Sequence, residues 1–150
     1  MNDIEMLNLF KHSYEIYNNM TESLCKKASI CNSALNILLL ISQDNGNVYA
    51  KDLVWMLGLK PNMVSLHINN LVNQGYLKRE MIKQDRRKVR LVCTAKSKKI
   101  VQDATKIANN LMEQLFEGLN DEEVEVYTKS INLFKQNMNN IKNSLSTVSN

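Results

Sequence analysis

One proline and four glycines in 150 residues leave the chain few places to break. Long helices joined by short turns are expected, without flexible inter-domain linkers. Its three cysteines, Cys25, Cys31 and Cys93, are an odd number with no CxxC spacing. That argues against a disulfide framework and fits a reducing compartment. The two histidines, His12 and His67, are too few to build a metal centre with the cysteines and acids available, so neither a metal nor a cofactor is expected. No stretch approaches the roughly 18 uninterrupted apolar residues of a membrane span. The start, MNDIEMLNLFKHS, is acidic and patterned instead of basic and then apolar, so no signal peptide is expected and a cytoplasmic location is. Also missing are a G-x-S-x-G turn, a P-loop, a glycine-rich dinucleotide turn and a convincing Cys-His-Asp set, which leaves an enzyme without support.

What the chain does have is unevenly placed charge. The formal net charge is +4, yet residues 78–99 hold ten Lys or Arg against Glu80 and Asp85, and the remaining 128 residues carry −4. A local excess of this kind points to one polyanion site and not to general basicity. The length suits one domain, or two small intertwined regions.

Helical periodicity is clearest at the end. Val124, Tyr127, Ile131, Phe134, Met138, Ile141 and Leu145 alternate spacings of three and four, one seam of a helix at coiled-coil period. Asn120 and Glu123 form a capping-box pattern before it, and the acids of DEEVE, Asp121 to Glu125, suit a helix N-terminus better than a metal or catalytic cluster. A second stripe, Ile100, Ala104, Ile107, Ala108, Leu111 and Leu115, ends at Gly118. A third, Met6, Phe10, Ser13, Tyr17, Met20 and Leu24, opens the chain. Each stripe is wider than a solitary helix can hide, so the terminal helices are expected to pack together and against a second copy.

Between them, NSALNILLLISQ reads as a buried helix stopped by DNGN. Leu53 and Leu57 mark a short helix broken by Gly58; Pro61 opens the next, lined by Val64, Ile68 and Leu71 and ended by Gly75. In VRLVC, Val89, Leu91 and Cys93 alternate with polar or outward residues, giving the second strand of a hairpin an inward apolar face. Two helices joined by a tight turn and closed by a hairpin make a winged helix-turn-helix. The expected fold is therefore mainly α with a small β-hairpin wing, with residues 32–95 as the winged region and 1–31 and 96–150 as a helical dimerisation region.

The charge lies at the hairpin tip, in DRRKVR. Neutralising DNA phosphates with Lys or Arg releases counterions, and an arginine-bearing tip can enter the minor groove. The helix starting after Lys60 can show Asn62, Ser65, Leu66 and Asn69 to base edges from the face opposite Val64, Ile68 and Leu71, with Asn62 or Asn69 on adenine and Leu66 on a thymine methyl. Candidate DNA-contacting residues are thus Lys60, Asn62, Ser65, Leu66, Asn69, Asp85, Arg86, Arg87, Lys88 and Arg90.

The combination LGLKPNMVSLHINNLVNQGYLKRE, DRRKVRLVCT and AKSKKI resembles the MarR family of bacterial transcription regulators. Asp85 and Arg87 match the family's D-x-R, and Leu91, Cys93 and Thr94 its L-x-L-T with Cys93 for the second Leu. Leu66 stands where the family often has Arg, Ser97 where Gly is usual, and Tyr49 where Ser or Thr would cap the first helix of the motif. The resemblance implies an obligate homodimer on a pseudo-palindromic double-stranded operator, usually a repressor, with Arg87 as wing-tip contact oriented by Asp85 and Ser65 on the DNA backbone. It also implies release by a small aromatic ligand or by cysteine oxidation. His12, Tyr14, Tyr17 and Trp55 are the candidates for lining a ligand pocket. Cys25 and Cys31, near Lys26 and Lys27, are the redox candidates, with simple core packing as their alternative. The competing reading is a winged-helix protein-interaction module that has no sequence-specific DNA binding.

Overall fold

NSALNILLLISQ is too apolar to show a wide face to water, and it becomes the axis of the fold. In the computed structural model, which describes residues 2–43, 48–82 and 85–148, with the backbone alone at 82, 85–88 and 146–148, this segment is helix α2 (Asn32–Gln43). Ala34, Leu35, Asn36, Ile37, Leu38 and Ile41 are all buried in it. Around it lie α1 (Asp3–Ala28), α3 (Ala50–Leu57), α4 (Pro61–Asn73), the strands β1 (Leu77–Ile82) and β2 (Asp85–Cys93), and α5 (Ala95–Leu115); α6 (Asp121–Val148) completes the described chain. The chain divides into two compact units, Met1–Leu111 and Met112–Asn150. Among the described residues, no single helix is long and apolar enough to cross a membrane.

The first unit has one core. Leu35, Ile37 and Leu38 of α2 meet Leu53 of α3, Val64, Ile68 and Leu71 of α4, Leu77 and Leu91 of the hairpin, and Ile100 and Ala104 of α5. The helix starts follow local chemistry. Asn2 and Glu5 close a capping box on α1 with two bonds of 2.9 Å. Asn120 and Glu123 do the same for α6 at 2.8 and 3.0 Å. Tyr49 supplies no side-chain cap to α3; instead the Asp52 carboxylate accepts its backbone N–H at 3.2 Å, half of a capping box.

α1 and α2 meet at 93°. The turn holds because Ser29 adopts the left-handed region (φ 55°) and its N–H returns to the Cys25 and Lys26 carbonyls. Asn32 then donates from one amide group to the Asn18 carbonyl (2.8 Å), the Asn18 side chain (3.2 Å) and the Thr21 hydroxyl (3.0 Å). Thr21 is fully buried and passes its own proton to the Tyr17 carbonyl at 2.9 Å.

The hairpin pairs Leu77 with Cys93, Arg79 with Leu91 and Met81 with Val89. The expected inward apolar face holds only at its base: Leu77 and Leu91 are buried, Cys93 is half-buried, and Val89 is 44 % exposed opposite Met81 at 74 %. The strands outgrow the core, so the same alternation that buries Leu91 leaves Val89 in solvent.

Asn32→Ala removes three bonds and leaves the buried Thr21 oxygen without its donor. It should cost on the order of 1–3 kcal/mol in a urea titration of the intact chain; an unchanged midpoint would show that apolar packing alone sets the α1–α2 joint.

Candidate nucleic-acid interface

The helix-turn-helix is α3 and α4. Gly58 ends α3 in the left-handed region (φ 61°), which a side chain would strain, and Pro61 opens α4 at a position whose N–H has no helical partner. Val64, Ile68 and Leu71 are buried at 1 %, 4 % and 0 % exposure, which fixes the rotation of α4. Its outward row is Asn62, Ser65, Leu66 and Asn69, all exposed, with Lys60 at the N-cap. Met63 and Asn70 extend the row.

Both asparagines of this row are already engaged. Asn62 Oδ1 accepts the Met63 backbone N–H at 3.0 Å, and Asn69 Oδ1 accepts from the Arg79 guanidinium at 2.6 Å. Arg79, on β1, is absent from the residues singled out by sequence. The available signal was the two-residue period that places Arg79 on the same side of β1 as buried Leu77, the side packed against α4.

The hairpin stem is fastened by its own polar groups. Thr94 Oγ1 donates to the Gly75 carbonyl at 2.6 Å, and Lys96 Nζ donates to the Gln74 carbonyl at 2.7 Å while lying 4.5 Å from the Tyr76 ring centre. Lys78 pairs with Glu80 at 2.6 Å. That hydrogen bond holds the Glu80 carboxyl below its ordinary range, with the Arg90 charge contributing. Arg90 is half-buried directly across from Glu80. The side chains of Asp85, Arg86, Arg87 and Lys88 lie outside the described residues; their backbone continues β2.

The candidate pocket residues divide. Tyr14 accepts a 2.7 Å bond from Asn36 of α2 at its hydroxyl. Tyr17 buries its hydroxyl, and desolvation, with Cys25 and Tyr14 nearby, pushes its pKa up to about 12. His12 is exposed on α1, and Trp55 stands on α3 at 40 % exposure.

The three thiols also divide. Cys25 is 3 % exposed, and burial, together with the nearby Cys31, raises its pKa. Cys93 is half-buried and raised by burial, with its Sγ 3.6 Å from the Leu38 carbonyl. Cys31 is exposed immediately before α2, and its Sγ lies 3.6 Å from His67 Nδ1 of α4. Sequence reading paired Cys25 with Cys31 as equals and treated His67 separately; 36 residues separate the thiol from the imidazole it meets. No group of three or more potential metal ligands occurs among the described residues.

This arrangement defines a winged helix-turn-helix protein. Its fold is that of the MarR-family regulators. A MarR transcriptional regulator from Methanosarcina mazei superposes with a TM-score of 0.76 at 23 % identity, covering 93 % of this chain and 99 % of that one. A MarR protein from Peptoclostridium difficile gives 0.75 at 23 % identity, covering 93 % and 91 %. The S. aureus MepR–DNA complex gives 0.68 at 19 % identity, covering 91 % and 96 %. No family model matches the sequence, and no curated protein does; at these identities the likeness is one of fold.

In the folded protein, iodoacetamide at neutral pH should alkylate Cys31 at least about tenfold faster than Cys25 or Cys93, because Cys31 is exposed whereas Cys25 is buried and Cys93 half-buried. Peptide mapping by mass spectrometry after brief labelling reads the order directly, and comparable labelling at Cys25 would contradict the burial described above.

Proposed function

We propose that this chain is a homodimeric, sequence-specific DNA-binding transcription regulator of the MarR type, acting as a repressor on a pseudo-palindromic operator. The observation that carries the reading is the outward row of α4, Asn62, Ser65, Leu66 and Asn69, set beside a hairpin whose sequence holds the chain's charge excess. A helix with this row fits a major groove, and a basic wing tip fits the adjoining phosphates or minor groove. In this reading residues 32–95 bind DNA, with Lys60 and Ser65 near the backbone and Asp85, Arg86, Arg87, Lys88 and Arg90 in or behind the wing. The S. aureus protein of the same fold was solved as a DNA complex, which supports the assignment.

Residues 1–31 and 96–150 form the dimerisation region. α1 exposes Ile4 and Leu7 at 66 % and 57 %, and α6 exposes Met138 and Ile141 at 49 % and 57 %. Apolar rows of that extent mark an interaction surface. For release from DNA, the accessible thiol Cys31, in contact with His67 on the recognition helix, is the better placed of the two redox candidates. Tyr14, bonded to Asn36, and Tyr17 near Tyr14 offer the polar groups of a small aromatic ligand site.

The test is binding of the purified protein to a labelled duplex from its own upstream region and to a scrambled duplex, across a salt series. Selective binding with a steep salt slope is expected. Arg87→Ala should weaken it and reduce the slope by about one unit without disturbing the dimer. Absence of duplex binding at low salt would favour a winged-helix protein-interaction module instead. Separately, Glu placed at both Ile131 and Met138 should shift the chain from dimer to monomer in light scattering; a variant that remains dimeric would remove α6 from the interface.

A further inference from the structure

We propose that Arg79 sets the base that Asn69 reads, making the pair a guanine reader where the bare asparagine would suit adenine. The inference rests on the DNA-binding assignment above and adds to it a specificity-determining residue on the wing strand.

Guanidinium is a donor with no acceptor. The atom of the Asn69 amide that meets Arg79 Nη2 at 2.6 Å is therefore the oxygen, and chemistry fixes the orientation of the amide. Both residues are exposed, and Arg79 reaches α4 from the side of β1 that also carries buried Leu77. With Oδ1 tied to the wing strand, the free groups of the pair are the Asn69 Nδ2 hydrogens and the remaining guanidinium N–H groups.

An asparagine recognises adenine by accepting from N6 while donating to N7, and so it needs its oxygen. Here one lone pair of that oxygen is taken, and the other sits beside a full positive charge, which opposes the approach of a positively polarised exocyclic amine. Guanine presents O6 and N7, two acceptors, to the same groove position. A donor-only pair matches guanine and mismatches adenine. Asn62 gives no second adenine reader of the simple kind, because its oxygen is turned back onto the Met63 N–H.

Duplex selection from a randomised pool, using the full-length protein, tests this. The wild type should enrich guanine at one position in each half-site, and Asn69→Ala should erase the preference at that position alone. Arg79→Met, which keeps the apolar stem and removes the donors, should move that position from guanine toward adenine, changing the ratio between about five- and a hundredfold. Arg79→Ala, with a thermal melt to verify folding, should move it the same way. Adenine at that position in the wild type would overturn the inference. So would a guanine preference that survives both Arg79 variants while affinity falls evenly, since Arg79 would then be a phosphate anchor only. An unchanged preference in Asn69→Ala would overturn it as well. If the wild type enriches no sequence at all, the DNA-binding assignment itself fails and this inference falls with it.

Discussion

The rotation of α4 about its own axis is the constraint on which the rest of the site depends. Burying Val64, Ile68 and Leu71 contributes about 1.5–3 kcal/mol each relative to exposure, whereas a surface hydrogen bond contributes about 1. The core therefore decides which way the helix faces, and Asn62, Ser65, Leu66 and Asn69 point outward because three apolar residues point inward. Gly58 and Pro61 fix where the helix begins, so its phase and its start are set independently. α2 makes this possible by offering an apolar surface wide enough for α4, the hairpin stem and α5 to share.

The basic segment is less uniform in space than in sequence. Lys96 is spent on the Gln74 carbonyl and the Tyr76 ring, Arg79 on Asn69, and Arg90 sits half-buried across from Glu80. Arg79 ties the hairpin to α4 and Lys96 fastens the start of α5 to the end of α4, while Arg90 faces Glu80 within the hairpin itself. Lys78 is paired with Glu80, but the pair is open to solvent, where screening keeps such a contact weak and easily exchanged. The stem cations thus serve geometry first, which leaves the tip segment as the source of long-range field in the proposed function.

Much of the fold was legible because the signals were periodic or local. Apolar spacing marked the helices, Asn120 with Glu123 marked the start of α6, and Gly58 with Pro61 marked the helix-turn-helix. The reading went too far at Val89, since alternation tells which face a residue is on and not how far the core extends beneath it. It missed the Asn69–Arg79 bond and the Cys31–His67 contact for a related reason. Both join elements that come together only when the core closes, and nothing in the residues between 31 and 67 announces the meeting. For the same reason Cys25 and Cys31 looked alike in sequence, although one is buried and the other open.

α6 poses the remaining physical question. A helix gains most of its stability in a protein by burying an amphipathic face, and its own backbone propensity contributes little. Yet no described residue of this 28-residue helix is fully buried, while Tyr127, Met138 and Ile141 are 40 % to 57 % exposed along one seam. The capping box at Asn120 and Glu123 and the edge-to-face contact of Phe116 with Tyr127, at 5.0 Å, secure its first turns. Beyond them the seam continues for another four turns with coiled-coil spacing and few charges on it. An apolar stripe that long is sustained when a matching stripe covers it, and in the proposed function the matching stripe is its own copy related by a two-fold axis. A palindromic duplex, in the proposed function, likewise asks for two copies of α4 related by a two-fold axis. The proposed cover of α6 and the proposed reading of DNA by α4 thus call for the same symmetry.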